Sequence, residues 1–439
     1  MCQESTVIGS VATTTLPPEI VDSIIDQLHD EPVSLKNCSL VSKTFVSRTQ
    51  KHLYTSIRLV FSLFAKRHAA QGLLDIFINK PGLARHVQNL YIENYLEGIW
   101  DEQAECCRGT DEILPHFFSC IRSLQLFSLK GRSLSRMYPY TKFPTNLSPY
   151  LASALLQMFR SNKVTEIAIM HINNFPIGHI AFTCPYLKRL SLESLDLYRP
   201  LEDAMISGAD LPAPPVVSTK GCLEVLRLGP GCGPAAQELH EYAASSLSRL
   251  SLTDLQIIIL RGNDVAVRVA AAAIITDSAS SLEHFDWDHR NYDCRFPLFI
   301  PAPLTLGVTM KLRVMRLACI HYPTCEPMHL LWVSATLREI RGNNNIEELV
   351  LVLTCHIRHA IAVEWGECKD WASSFDTLMT SAGFDNLRKV TFCFEHPNVN
   401  ENDPLPMDSF VLAKELLENR LPLLKCRGLL SFRWDDGED

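Results

Sequence analysis

An α/β fold is what this sequence predicts: a short all-helical stretch near the N-terminus, then a long body in which strands and helices alternate. Three observations carry the expectation. Within residues 16–59, apolar residues return every three or four positions, the period of a helix face. From residue 87 onward a different pattern recurs to the C-terminus, apolar-x-x-apolar-x-apolar, whose last part alternates inward and outward as a strand does. Hydrophobic residues make up 47% of the 439 and charged residues 21%, the proportions of an ordinary globular protein with a sizeable core.

Taken in order, residues 1–14 are small and polar and are expected to be disordered. Pro17 and Pro18 suit the first turn of a helix, where a missing N–H costs nothing. Ile20, Ile24 and Leu28 then share one face, while Asp22, Asp26 and Asp30 share another that is expected to face solvent. The run Asp30-Glu31-Pro32 ends this helix and starts a second, striped by Leu35, Cys38 and Val41. Ser42 fits the N-cap of a third, which carries Phe45, Thr49 and Leu53. Three helices in a stretch this short bury little by themselves, so their surplus apolar surface is expected to meet a partner or the rest of the chain.

Residues 61–86 read as a helical linker, and residues 87–434 as the repeating body. Its pattern begins as Val87-x-x-Leu90-x-Ile92 and Ile121-x-x-Leu124-x-Leu126, and returns at Val164, Leu187, Leu223, Leu247-x-x-Leu250-x-Leu252, Leu282, Leu312, Ile346, Leu387 and Leu429-x-x-Phe432-x-Trp434. Leu337-x-x-Ile340 is a weaker copy. Helices are expected between copies at 150–160, 235–245, 265–279, 371–381 and 409–419. Residues 435–439 form an acidic tail.

The N-terminal stretch, residues 15–60, resembles the F-box family, in particular fungal F-box proteins. The resemblance is carried by Leu16-Pro17-x-Glu19-Ile20, then Ile24 and Leu28, then Leu35, Cys38, Val41-Ser42-Lys43, Phe45 and Leu53. Phe45 stands where that family most often has Trp, keeping the ring and losing the indole N–H. The resemblance implies docking to the Skp-type linker subunit of a cullin ubiquitin ligase through Leu16, Pro17, Ile20, Ile24, Leu28, Leu35, Val41 and Phe45. The body resembles a curved leucine-rich-repeat solenoid with irregular units, in which each strand–helix unit buries its apolar side only by stacking on its neighbours. No copy shows the asparagine ladder of the regular repeat. Together these imply a substrate receptor of a Skp–cullin–F-box (SCF) ligase. The alternatives are a repeat scaffold with no ubiquitin role, or a hydrolase.

In each copy the residue between the last two apolar positions points away from the core. That row reads Tyr91, Gln125, Ala168, Ser191, Arg227, Ser251, Asp286, Arg316, Val350, Thr391 and Arg433. Its charged members Arg227, Asp286, Arg316 and Arg433, with Arg341 from the weak copy, are the expected target-binding residues, arginine being suited to paired hydrogen bonds with carboxylate or phosphate.

Other chemistry is thinly represented. The net charge of −8 argues against a nucleic-acid partner. The fifteen Cys are scattered without a CxxC pair, which reads as reduced thiols rather than a disulfide framework. Cys38, at an apolar helix position, is expected to be buried and inert. Cys355-His356-x-x-His359 is the densest set of soft ligands, but a structural metal site needs about four and no second cluster lies nearby. Asp286-x-Asp288 puts two carboxylates on one strand face, where a solvated or partner-facing pair is expected rather than acid–base chemistry. There is no nucleophile elbow, phosphate loop or HExxH, so neither an enzyme nor a cofactor is expected. Residues 1–15 lack the features of a signal peptide, and 257–275 is interrupted by Arg261, Asp264 and Arg268. A cytoplasmic or nuclear protein without a membrane partner is therefore expected.

Overall fold

The computed structural model describes residues 17–61, 70–95, 110–131, 145–195, 220–262, 264–288, 304, 306–321, 328–340, 344–355, 369–395 and 407–435. Helices α1 (Pro18–Gln27), α2 (Pro32–Val41) and α3 (Lys43–Thr55) come first. Pro18 and Pro32 each open their helix, and the Ser42 hydroxyl caps α3 by accepting the Thr44 N–H at 3.3 Å. Then follow β1 (Ser56–Val60), α4 (Gln71–Asn79), α5 (Pro81–Ala84), β2 (Asn89–Tyr95), α6 (Thr110–Cys120), β3 (Leu126–Gly131), β4 (Thr145–Asn146) and α7 (Pro149–Ser161). Next come β5 (Glu166–Met170), β6 (Ile172–Asn173), α8 (Ile177–Thr183), β7 (Arg189–Glu193), β8 (Gly221–Cys222), β9 (Val225–Leu228), α9 (Gly233–Ala244), β10 (Leu250–Ser251), β11 (Ile257–Arg261) and α10 (Val265–Asp277). The last are β12 (His284–Asp288), β13 (Val314–His321), α11 (Met328–Ile340), β14 (Glu348–Cys355), α12 (Lys369–Met379), β15 (Lys389–Glu395), α13 (Met407–Arg420), α14 (Pro422–Cys426) and β16 (Leu430–Asp435).

The class is mixed α/β. Twelve strands form one sheet in the order β1-β2-β3-β5-β7-β9-β11-β12-β13-β14-β15-β16, and every neighbouring pair is parallel. No sheet closes on itself among the described residues, so β1 and β16 are the two edges. The pairs β4–β6 and β8–β10 lie outside this sheet. Parallel strands need a crossover, and helices supply most of them. These helices touch one another in succession, α4 to α6, α6 to α7, α7 to α8, α8 to α9 and α9 to α10.

The core lies between this helical layer and the inward strand positions, such as Leu90 and Ile92, Leu190 and Leu192, and Phe285 and Trp287. Its early part is threaded by aromatic contacts: Tyr54 to Phe77, Phe77 to Phe117, Phe117 to Phe118, Phe118 to Phe127 and Phe127 to Phe159, with ring centroids 5.2–6.4 Å apart. Tyr54 belongs to α3, so the N-terminal helices join the core through that helix.

The sheet starts earlier than expected. β1 pairs with β2, and α4 and α5 add Leu74, Phe77, Leu83 and Ala84 to the core. β1 and the described residues 70–86 thus pack with the sheet and its core. Leu337 and Ile340 lie on α11, so the weak copy is a helix rather than a strand. Polar brackets also appear where no regular ladder was expected. The buried Asn162 side chain accepts the Leu124 N–H (2.8 Å) and donates to the Ile121 and Met158 carbonyls (3.2 and 2.8 Å). Asn344 donates to the Ile340 and Gly383 carbonyls (3.0 and 2.7 Å), and the Ser281 hydroxyl lies within hydrogen-bonding distance of the Thr253 and Leu255 carbonyls (2.7 and 2.8 Å). The expected disordered N-terminus, Leu16, Arg341 and the acidic tail beyond Asp435 lie outside the described residues.

Candidate interaction surfaces

The N-terminal helices carry more apolar surface than their own packing uses. In α1, Ile25 is buried with Val21 and Leu28 half-buried beside it, so the inward face is Val21, Ile25 and Leu28. The expected stripe therefore splits: Leu28 turns inward, while Pro17, Ile20 and Ile24 (52% exposed) remain in solvent. In α2, Leu35 is 1% exposed and sits inside the helical unit. It cannot touch a partner directly, which corrects its assignment as a contact residue. Val41 is exposed, and so are two residues the sequence reading missed, Val33 and Leu40 (84% exposed). Their spacing of seven residues was the available signal for a second apolar face. Phe45 is half-buried on α3, and Cys38 is half-buried rather than enclosed.

Asp26 is half-buried and ion-paired rather than free on a solvated face. Arg48 donates to it through both Nε (2.6 Å to Oδ1) and Nη2 (to Oδ2), and His52 Nε2 lies 2.7 Å from Oδ1. The bidentate guanidinium, and then His52, hold the Asp26 carboxyl well below the usual carboxylate range. This pair ties α1 to α3.

The outward face of the large sheet is the second surface, and strand register corrects part of the expected row. Tyr91 pairs with Ser128, not Gln125, because Phe127 and Leu129 are the inward residues of β3. Ser251 lies on β10, outside the large sheet; the strand beside β9 is β11, whose Ile259 stands opposite Arg227. At the far edge, Thr391 pairs with Ser431, and Arg433 sits one outward row further, opposite Cys393. The remaining members hold their places: Ala168, Ser191, Arg227, Asp286, Arg316, Val350 and Thr391.

The charged members differ in what surrounds them. Asp286 is 6% exposed and Asp288 4%, so of the expected solvated or partner-facing pair the solvated form does not hold. Arg316 Nη1 reaches Asp286 Oδ2 at 3.2 Å, and its Nη2 reaches Glu395 Oε1 at 3.4 Å. Arg261 Nη1 reaches Asp288 Oδ2 at 2.7 Å, with Nη2 at 3.8 Å from Asp286. Gly262, at φ +85°, turns the chain out of β11, donating its N–H to the Asp288 carbonyl (2.7 Å) and accepting the Trp287 indole N–H (3.3 Å). Beside this network Ala318, Val352 and Cys393 form a small, fully buried apolar cluster on the same face. Asp286 and Arg316 thus neutralise each other instead of facing a target. Arg227 is exposed and makes no hydrogen bond or ion pair among the described residues.

No group of three or more His, Cys, Asp or Glu among the described residues is arranged to hold a metal ion. Of the Cys355-His356-x-x-His359 set only the backbone of Cys355, ending β14, is described. Among the described residues no helix is long and apolar enough to cross a membrane. No family model matches this chain, and no curated protein matches it.

Proposed function

We propose that this chain is the substrate-receptor subunit of a Skp–cullin–F-box type ubiquitin ligase, with residues 15–60 as its F-box and the body as a leucine-rich-repeat-like solenoid. The observation that carries the reading is the exposed apolar stripe of the N-terminal helices: Pro17, Ile20, Ile24 and Val41, joined by Val33 and Leu40. An apolar face of this kind in solvent marks an interaction site, and helices laid into a partner's groove cover it economically. The sequence pattern from Leu16 to Leu53 names the partner class, a Skp-type linker. Leu35, Ile25 and the Asp26–Arg48 pair hold the stripe in shape, with Phe45 and Leu28 at its margin.

The solenoid reading is supported by a parallel sheet whose strands follow chain order, each unit stacking on the one before. In this reading the chain performs no chemistry of its own. It holds a target beside the ubiquitin-carrying enzyme, which raises the effective concentration of the target's lysine there.

Co-expression of the full chain with a Skp-type linker tests this. The expected result is a 1:1 complex on size exclusion, burying more than about 1,000 Å². Ile20→Asp with Ile24→Asp should abolish it, since a central anchor alone accounts for about 2 kcal/mol or more, while circular dichroism stays unchanged. A wild-type chain that elutes apart from the linker would leave a repeat scaffold as the better description.

A further inference from the structure

Across three neighbouring strands, arginines step diagonally over the outward face of the sheet. Arg189 opens β7; its register partner on β9 is Val225, and Arg227 lies two residues further along β9. Arg227 stands opposite Ile259 of β11, and Arg261 lies two residues further along β11. With strands about 4.8 Å apart and about 6.6 Å per two residues, each step is about 8 Å. All three side chains point the same way, because each step is of even register. The Arg189 and Arg261 side chains are 65% and 44% exposed, and Arg227 is exposed as well.

The three are not equally engaged. Arg261 is anchored by Asp288 at 2.7 Å. Among the described residues Arg189 has only Glu166, at 3.6 Å, beyond hydrogen-bond length. Arg227, in the middle, has no carboxylate partner among the described residues; Glu193, diagonal to it on β7, packs over Gly229 instead. Its direct neighbours across the strands are Ser191 and Ile259, which supply no charge. The half-buried Ser128, Ala168 and Ser191 continue the same row toward β3.

We propose that this staircase, centred on Arg227, is the target-reading surface, and that its ligand is an extended peptide segment carrying acidic groups on alternate residues. Alternate residues of an extended chain lie about 6.6 Å apart, within reach of guanidiniums spaced about 8 Å on long stems. Guanidinium forks suit carboxylate and phosphate alike. In a chain of net charge −8, an exposed arginine without a counter-ion among the described residues is complementary to an acidic segment. The inference rests on the receptor reading, which supplies the reason for a target surface.

The test uses the full chain without any linker and two fluorescein-labelled decapeptides followed by anisotropy: alternating Glu and Ser, and alternating phosphoserine and Ala. An alternating Gln–Ser peptide is the blank. Binding of either acidic probe is expected, weakening as salt rises from about 50 to 300 mM. Preference for the phosphoserine probe assigns a phosphorylated target, and equal binding assigns a run of carboxylates. Arg227→Glu should weaken the bound probe at least tenfold and Arg189→Glu severalfold, while Lys389→Glu, the same charge change elsewhere on the face, leaves it unaltered. No binding of either probe, or equal losses in Arg227→Glu and Lys389→Glu, overturns the assignment. A chain that captures the linker yet neither probe keeps the receptor reading and loses this surface; one that binds a probe but no linker does the reverse.

Discussion

Among the described residues, the outward row is exposed at β9 and buried at β12, on either side of β11. Arg227 on β9 and Arg316 on β13 occupy the same row, on strands of the same sheet, with the same alternation beneath them. Arg227 reaches solvent without a counter-ion among the described residues. Arg316 lies between Asp286 and Glu395, beside the buried Ala318, Val352 and Cys393. The difference lies in the neighbours. Ser191 and Ile259 give Arg227 nothing to pair with, whereas β12 offers a carboxylate directly opposite Arg316. Residue type alone does not say whether a charge on a sheet face is a binding group; the residue one strand away decides it.

The sharpest way to break this contrast is to remove the carboxylate at β12. Asp286→Ala leaves Arg316 without its main partner in a largely buried setting, where breaking a pair typically costs about 3 kcal/mol or more. Urea denaturation should show the midpoint falling accordingly. Replacing both partners, Asp286→Met with Arg316→Met, should restore most of the loss, since a well-packed apolar pair often equals a buried ionic one. If the double variant is as unstable as the single, the two residues are not each other's main partners.

A smaller effect is expected from pH. Burial pushes the His284 imidazole, at the start of β12, below its ordinary value, with Asp286, Arg316 and Glu348 acting on it as lesser influences. On the other side of β11, burial and Arg160 push His179 of α8 the same way. The folded chain therefore holds both neutral where the unfolded chain, with His near about 6.5, takes up protons. The unfolded state binds more protons in that window, so stability falls as pH drops through about 6.5 toward the depressed folded values. His284→Gln should flatten part of this fall in denaturation midpoints between pH 7.5 and 5.5. An unchanged slope would mean the imidazole is solvated.

The smallest effect belongs to β9. Arg227→Glu should change stability by no more than about 0.5 kcal/mol, as for an exposed residue outside any network. A larger loss would reveal a structural partner and undo the contrast.

How much of this was legible in the sequence follows from the same physics. Copies such as Leu187-Leu190-Leu192 and Leu312-Met315-Leu317 were readable, because alternation and leucine spacing both fix the inward face. The copy at Ile121 was misread by register. Leu126 is apolar yet lies on the outward row, and it completed the pattern before Phe127 and Leu129 could. The copy at Leu247 has the right spacing but forms only the two-residue β10, while Leu255, Ile258 and Leu260, eight residues later, hold the place in the sheet. At the N-terminus, Leu35 and Leu40 look equivalent in sequence, but one is enclosed and the other exposed, since apolar residues need not be inside. The Asp286–Arg316 and Asp26–Arg48 pairs span 30 and 22 residues, and only the fold brings them together. The outward direction of Arg227 was readable from alternation; its exposure, and its lack of a counter-ion among the described residues, were not.

On the proposed receptor reading, partner and target meet opposite parts of one chain. Hydrogen–deuterium exchange of the full chain, with and without a Skp-type linker, tests it most directly. Added protection is expected in peptides covering residues 17–41 and none in those covering β7, β9 and β11. Protection confined to the sheet, with residues 17–41 exchanging as in the free chain, would contradict it.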